Sequence, residues 1–212
     1  MSLNLFDLTG RCALVTGGSK GLGKSMARGF AEAGADVVIS SRHENELKAA
    51  VEEIRSSTGG KRKVSYVVAD MTKRDAVAKL AASATEALGK VDILVNNAGS
   101  NAPQPIDEIT DETWDRLIEL NLSSCMALTR ALVPGMKERG WGRIIHISSI
   151  MGYVSATGRD VYSATKSALL GLARAGANDL AGSGVTMNCI APGPFLTDLP
   201  TSLLSKEQQD FF

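Results

Sequence analysis

Tyr162 and Lys166 stand four residues apart in Tyr162-Ser163-Ala164-Thr165-Lys166, with Ser149 thirteen residues upstream. On a helix that spacing puts phenol and ammonium on one face. A phenol with a pKa near 10 is a poor base at neutral pH, and a neighbouring cation brings it closer to ionisation. Near the other end of the chain runs Thr16-Gly17-Gly18-Ser19-Lys20-Gly21-Leu22-Gly23. Together the two features point to movement of a hydride and a proton. Each alone is weak, since a Tyr-x-x-x-Lys pair also arises as a surface contact and a glycine run as a tight turn.

The glycines fall between an apolar run, Cys12-Ala13-Leu14-Val15-Thr16, and an amphipathic segment from Leu22 onward. Lacking Cβ atoms, they let backbone N–H groups approach a pyrophosphate at the positive end of a helix. The spacing is Gly17-x-x-x-Gly21-x-Gly23, and its place in the first strand–helix unit favours a dinucleotide. After the second apolar run the chain carries Ser40-Ser41-Arg42-His43, with no acidic residue to accept the ribose hydroxyls of NAD. Arg42, with Lys20 from the turn, would pair with a 2′-phosphate. NADP is therefore the expected cofactor, with NAD possible. The alternative is that Arg42 and Lys20 are ordinary exposed cations.

The elements that must position these residues follow from hydrophobic periodicity. Apolar runs at 12–16, 36–40, 63–69, 91–96, 142–148 and 185–190 alternate with helical patterns at 22–33, 44–56, 73–88, 111–138 and 161–181. Strands separated by helices of this length need crossovers, hence a parallel sheet with helices on both faces. The predicted fold is α/β, a doubly wound parallel sheet (Rossmann fold) in three α/β/α layers with strand order 3-2-1-4-5-6. The runs are nearly continuous in Val, Ile and Leu, as expected where both faces are covered.

In such sheets ligands bind beyond the carboxyl ends of the strands. Asp70 closes the third strand, Asn96-Asn97-Ala98-Gly99 the fourth, and Ser148-Ser149 the fifth, all on one edge. With Thr16-Gly17-x-x-x-Gly21-x-Gly23, Asn121, Tyr162-x-x-x-Lys166 and Pro192-Gly193, they form an ordered set covering the whole chain. As a set they resemble the short-chain dehydrogenase/reductase family.

The resemblance implies an NADP-dependent oxidoreductase interconverting a ketone and a secondary alcohol, with a 3-oxoacyl, sugar-acid or small ketone substrate. Tyr162 would be the acid/base, Ser149 would hydrogen-bond the substrate oxygen, and Lys166 would lower the tyrosine pKa and hold the nicotinamide ribose. Asn121 would hold a water extending the proton relay from Lys166. Gly17, Ser19, Lys20, Gly21, Leu22, Gly23, Ser41, Arg42, Asp70, Met71, Asn97, Ala98, Gly99, Pro192, Gly193 and Thr197 would contact the cofactor. Asp70 would take the adenine amino group, Asn97-Ala98-Gly99 the adenosine ribose, and Thr197 the nicotinamide carboxamide. Asn96 is expected to brace the sheet and His146 to be a satisfied core histidine. Tyr153 would either touch substrate or pack.

Composition narrows the alternatives. The 23 basic residues balance 23 acidic ones, and no basic tract favours nucleic acid or an anionic membrane. The first residues, Met1-Ser2-Leu3-Asn4-Leu5-Phe6-Asp7, lack the pattern of a signal peptide. Three scattered cysteines suggest reduced core thiols in a cytoplasmic protein, and two histidines make a metal site unexpected. Family members continue with a substrate-covering helical segment, a further helix and a seventh strand, whereas this chain stops at Phe211-Phe212. Ser205-Lys206-Glu207-Gln208 reads as a helix start with a capping box. The expectation is one domain over 1–212 without that cover and strand, forming a homodimer or homotetramer. An alternative is a shortened cofactor-binding or regulatory protein that keeps the fold without turnover.

Overall fold

The computed structural model describes residues 5–195. Thr197, the segment 205–208 and the chain end lie outside them. Six strands form the sheet: β1 (Cys12–Thr16), β2 (Asp36–Ser41), β3 (Val64–Val68), β4 (Ile93–Asn96), β5 (Gly142–Ile147) and β6 (Val185–Ile190). All five pairings are parallel and the order is β3-β2-β1-β4-β5-β6, as the sequence predicts.

Successive strand side chains point to opposite faces, and the core divides accordingly. Ala13, Val15, Val37, Ile39, Ile93 and Val95 pack under α1 (Gly21–Glu32) and α2 (Glu44–Ser57). Leu14, Val38, Leu94 and Ile144 meet the opposite layer, formed by α3 (Arg74–Leu88), α5 (Ser124–Glu138) and α6 (Asp160–Asp179), with α4 (Asp111–Ile118) preceding α5. Leu14 and Leu94 are fully buried, so truncating either to alanine costs about 2–5 kcal/mol. That stability fixes the strand ends on which the polar groups sit.

Two expectations need correction. The segment 111–138 is not one regular helix: a wide turn over Glu119–Ser123 separates α4 from α5. There the Ser124 N–H reaches back five residues to the Glu119 carbonyl, and the turn carries Asn121. The outer strands are not covered on both faces either. In β6, the last strand among the described residues, Val185 and Met187 are buried while Thr186 and Asn188 are exposed, the alternation of a strand covered on one face.

β1 and β4 are neighbours at the centre, and the chain proceeds from them in opposite directions. The crevice beyond their carboxyl ends is where a doubly wound sheet receives a ligand.

Candidate active site

The turn after β1 is built for close backbone approach. Gly17 has φ +63°, in the left-handed region that disfavours side chains. A Cβ on Gly23 would overlap the Gly17 carbonyl oxygen and stand 2.5 Å from Asn97 Nδ2. Asn97 locks the turn in place. Its side-chain N–H groups donate to the carbonyls of Thr16 (2.8 Å) and Gly17 (3.2 Å), and its backbone N–H donates to Thr16 Oγ1 (3.0 Å). Both amide donors are thereby engaged, so Asn97 braces the floor of the cleft.

That cleft has a volume of about 520 Å³. Gly17, Ser19, Lys20, Gly21, Leu22, Gly23, Ser41, Arg42, Asp70, Met71, Asn97, Ala98 and Gly99 line it. Its shape, its glycine cradle and the α1 N-terminus fit a dinucleotide pyrophosphate. Asp70 Oδ1 accepts from the Thr72 N–H and Oγ1, both at 2.9 Å. Burial raises its pKa, but these bonds and the charges of Arg42 and Lys73 outweigh it and hold the carboxyl below its ordinary value. Arg42 is exposed. Lys20 lies 3.6 Å from Glu46, which also accepts from Ser19 Oγ at 3.0 Å. Glu46 therefore brings into the cleft a carboxylate that the end of β2 lacks. It sits in the first turn of α2, where an acidic residue reads only as a favourable helix start; no motif marks it. His43, Thr72, Ser100 and Leu120 also line the cleft without a sequence signal.

Ser149, Tyr162 and Lys166 lie beyond that lining, on the side of Gly99. Ser149 follows β5 in extended conformation, and its Oγ accepts from the Met151 N–H at 3.2 Å. The neighbouring Ser148 Oγ donates to the Lys166 carbonyl at 2.8 Å, tying α6 to the β5 end. Lys166 is almost fully buried, and its Nζ donates to the Ile147 carbonyl at 2.7 Å. Burial lowers its pKa. Burial raises that of Tyr162, with a Ser149 hydrogen bond and the Arg159 charge acting against it. The expected lowering by Lys166 is not among these influences: Lys166 Nζ stands 5.5 Å from the Tyr162 ring centroid and uses one of its three donors on Ile147. Arg159 carries no motif, and its place one turn before Tyr162 is its one signal in the sequence.

Asn121 is fully buried. Its amide donates to the Ser100 carbonyl (2.9 Å) and Thr165 Oγ1 (3.2 Å), and its Oδ1 accepts from the Ser100 N–H (2.9 Å). One acceptor position on Oδ1 remains. A Cβ on Gly99 would lie 3.2 Å from that oxygen and 3.5 Å from Lys166 Nζ, so these two groups share one small space. Pro192, whose carbonyl accepts from the Ile150 N–H at 3.0 Å, and Gly193 lie outside the cleft lining.

Asn96 ties β4 to its neighbour β5 and to α5: its Nδ2 meets His146 Nδ1 at 3.1 Å and Thr129 Oγ1 at 3.3 Å. His146 departs from expectation, because it is fully buried yet its Nε2 has no partner among the described residues. Burial, with the Lys166 charge, lowers its pKa to about 4. Tyr153 is 72% exposed and so does not serve core packing.

A sequence model of the short chain dehydrogenase family matches residues 11–208. The chain belongs to this family of oxidoreductases, which act on hydroxyl and keto groups. It is 39% identical over 190 residues to D-beta-hydroxybutyrate dehydrogenase of Rhizobium meliloti (strain 1021), covering 89% of this chain and 73% of that protein. Its fold is similar to that of a 7 alpha-hydroxysteroid dehydrogenase complexed with NADH and 7-oxo glycochenodeoxycholic acid, with TM-score 0.92 and 35% identity over 98% of this chain and 80% of the other. It is also similar to a 3-oxoacyl (acyl-carrier-protein) reductase from Agrobacterium tumefaciens C58 with NADP bound, with TM-score 0.91 and 32% identity over 100% and 81% of the two chains. Among the described residues no helix is long and apolar enough to cross a membrane.

Proposed function

We propose that this protein is an NADP-dependent oxidoreductase that interconverts a ketone and a secondary alcohol, with Tyr162 as acid/base. The observation that carries the proposal is that Gly99, in the lining of the glycine-floored cleft, also borders Lys166 Nζ, on the helix that carries Tyr162. Bound in the cleft, a nicotinamide cofactor supplies or accepts the hydride. Gly17 to Gly23 hold its pyrophosphate, Asp70 its adenine, and Met71, Ala98 and Gly99 the walls around the adenosine. Ser41 and Arg42, with Lys20, receive the 2′-phosphate, and Pro192 and Gly193, with Thr197, would contact the nicotinamide end.

The chain's own groups handle the proton. In reduction Tyr162 donates its hydroxyl proton to the nascent alkoxide, and in oxidation it removes the alcohol proton. Ser149 donates to the substrate oxygen and stabilises the charge developing there, an effect mutagenesis elsewhere values at about 2.7–4 kcal/mol. Lys166 holds the nicotinamide ribose, and the free acceptor position of Asn121 takes a water at the end of the proton path. The neighbour solved with NADP supports the cofactor choice, while the one solved with NADH leaves NAD as the second candidate. Three scattered cysteines, free among the described residues, support a cytoplasmic setting, and membership of the family supports a homo-oligomer.

NADPH and NADH oxidation, followed at 340 nm with 3-oxoacyl thioesters, 5-ketogluconate and small ketones, tests this reading. Turnover with at least one carbonyl class and a preference for NADPH are expected. Binding of NADPH without turnover of any of them would contradict it.

A further inference from the structure

Arg159 stands immediately before α6 and one helical turn before Tyr162. Its backbone is fixed at both groups: its N–H donates to the Ala156 carbonyl at 3.1 Å and its carbonyl accepts from the Ser163 N–H at 2.7 Å. The residue is half-buried. Among the described residues its guanidinium has neither ion pair nor hydrogen bond, and the adjacent Asp160 is exposed and not paired with it. A guanidinium with no counter-charge beside it has its donors available for an anionic ligand. Arg159 stands one helical turn before Tyr162, and its charge acts on the Tyr162 phenol.

A second group without a partner flanks the site. Asn101 follows Ser100, whose N–H and carbonyl are both held by the Asn121 amide. Asn101 Oδ1 is buried and makes no hydrogen bond. The loop carrying it touches the loop carrying Arg159, since the Gln104 N–H donates to the Gly158 carbonyl at 3.2 Å. By rotation about its last bond, an asparagine amide presents either an acceptor or two donors.

We propose that Arg159, assisted by the Asn101 amide, binds a carboxylate carried by the substrate, so that the preferred substrates are short oxo acids and their hydroxy acids. This rests on the reading of Tyr162 and Ser149 as the groups that hold the reacting oxygen. Arg159 and Tyr162 are three residues apart at the start of one helix, neighbours that one small substrate can reach together. A guanidinium suits a carboxylate because its fork of donors can engage both oxygens.

Reduction of 3-oxobutanoate and of its methyl ester is compared in the wild type, Arg159→Gln and Arg159→Lys at saturating NADPH. 3-Hydroxybutanoate is also titrated calorimetrically into the NADPH-loaded proteins. The wild type is expected to prefer the acid, and Arg159→Gln to lose roughly ten- to hundredfold in kcat/KM on it, chiefly through KM, as for a charge-assisted bond. The loss on the ester should be at least about fivefold smaller. Arg159→Lys should recover part of the loss, and 3-hydroxybutanoate binding should weaken in step. Equal losses on acid and ester would overturn the inference while leaving the oxidoreductase reading intact. If neither compound turns over, calorimetry still decides: absent binding, or binding unchanged in Arg159→Gln, overturns the carboxylate site.

Discussion

Lys166 Nζ lies 5.5 Å from the ring centroid of Tyr162 while donating a 2.7 Å hydrogen bond to the Ile147 carbonyl. The pair shares a helix face, as spacing alone requires, yet burial keeps the phenol above its ordinary pKa, and the opposing influences come from Ser149 and Arg159.

This sets the sign of the pH dependence. Oxidation of an alcohol needs the phenolate, so its rate should climb into the alkaline range as Tyr162 ionises. Carbonyl reduction needs the phenol, so it should hold through neutrality and fall along the same limb. Removing the Arg159 charge with Arg159→Gln should move that limb to higher pH. A pH–kcat/KM profile of both variants checks this, and coincident limbs would contradict it.

Cofactor choice turns on three charges at one end of the cleft. Arg42→Asp should weaken NADPH binding severalfold or more, by removing a cation and adding repulsion. Glu46 accepts from Ser19 and lies 3.6 Å from Lys20, so Glu46→Gln should act the other way and tighten NADPH relative to NADH. Titration of intrinsic fluorescence with each cofactor measures both. Unchanged NADPH affinity in Arg42→Asp would remove the basis for NADP.

His146 makes the fold acid-sensitive. Its pKa falls from 6.5 to about 4 on folding, through burial and then the Lys166 charge. A histidine with a depressed folded pKa supports the native state fully above 6.5, and that support is lost as pH falls toward 4, because the unfolded chain binds the proton first. The loss between pH 7 and 4.5 should be about 2.5 kcal/mol. Urea unfolding of the wild type should weaken over that range by more than that of His146→Leu. Equal weakening would show that His146 titrates freely.

Much of this was legible in the residues. Continuous apolar runs such as Cys12–Thr16 sit at the sheet centre, where both faces are covered, and the strand order follows from crossover geometry. The polar residues closing the strands had only one edge to occupy. Bonds between residues far apart in sequence carried no local signal. Asn97 engages its amide on Thr16 and Gly17, some 80 residues away. The wide turn at Glu119–Ser123 keeps helical composition throughout, so periodicity passes over it. His146 sits in an ordinary strand pattern and shows its unpaired nitrogen only once burial is known. Glu46 and Arg159 look like surface charges until the fold brings one to the glycine turn and the other to Tyr162.

The central claim is that Tyr162 carries the proton in a reaction run by the bound nicotinamide cofactor. Single-turnover oxidation of saturating NADPH by a carbonyl substrate, compared between the wild type and Tyr162→Phe, tests it most directly. A loss of roughly 10²–10⁴-fold is expected in the variant, the range for a lost general acid, with NADPH affinity changed by less than about threefold. A Tyr162→Phe protein that oxidises NADPH at the wild-type rate would contradict it.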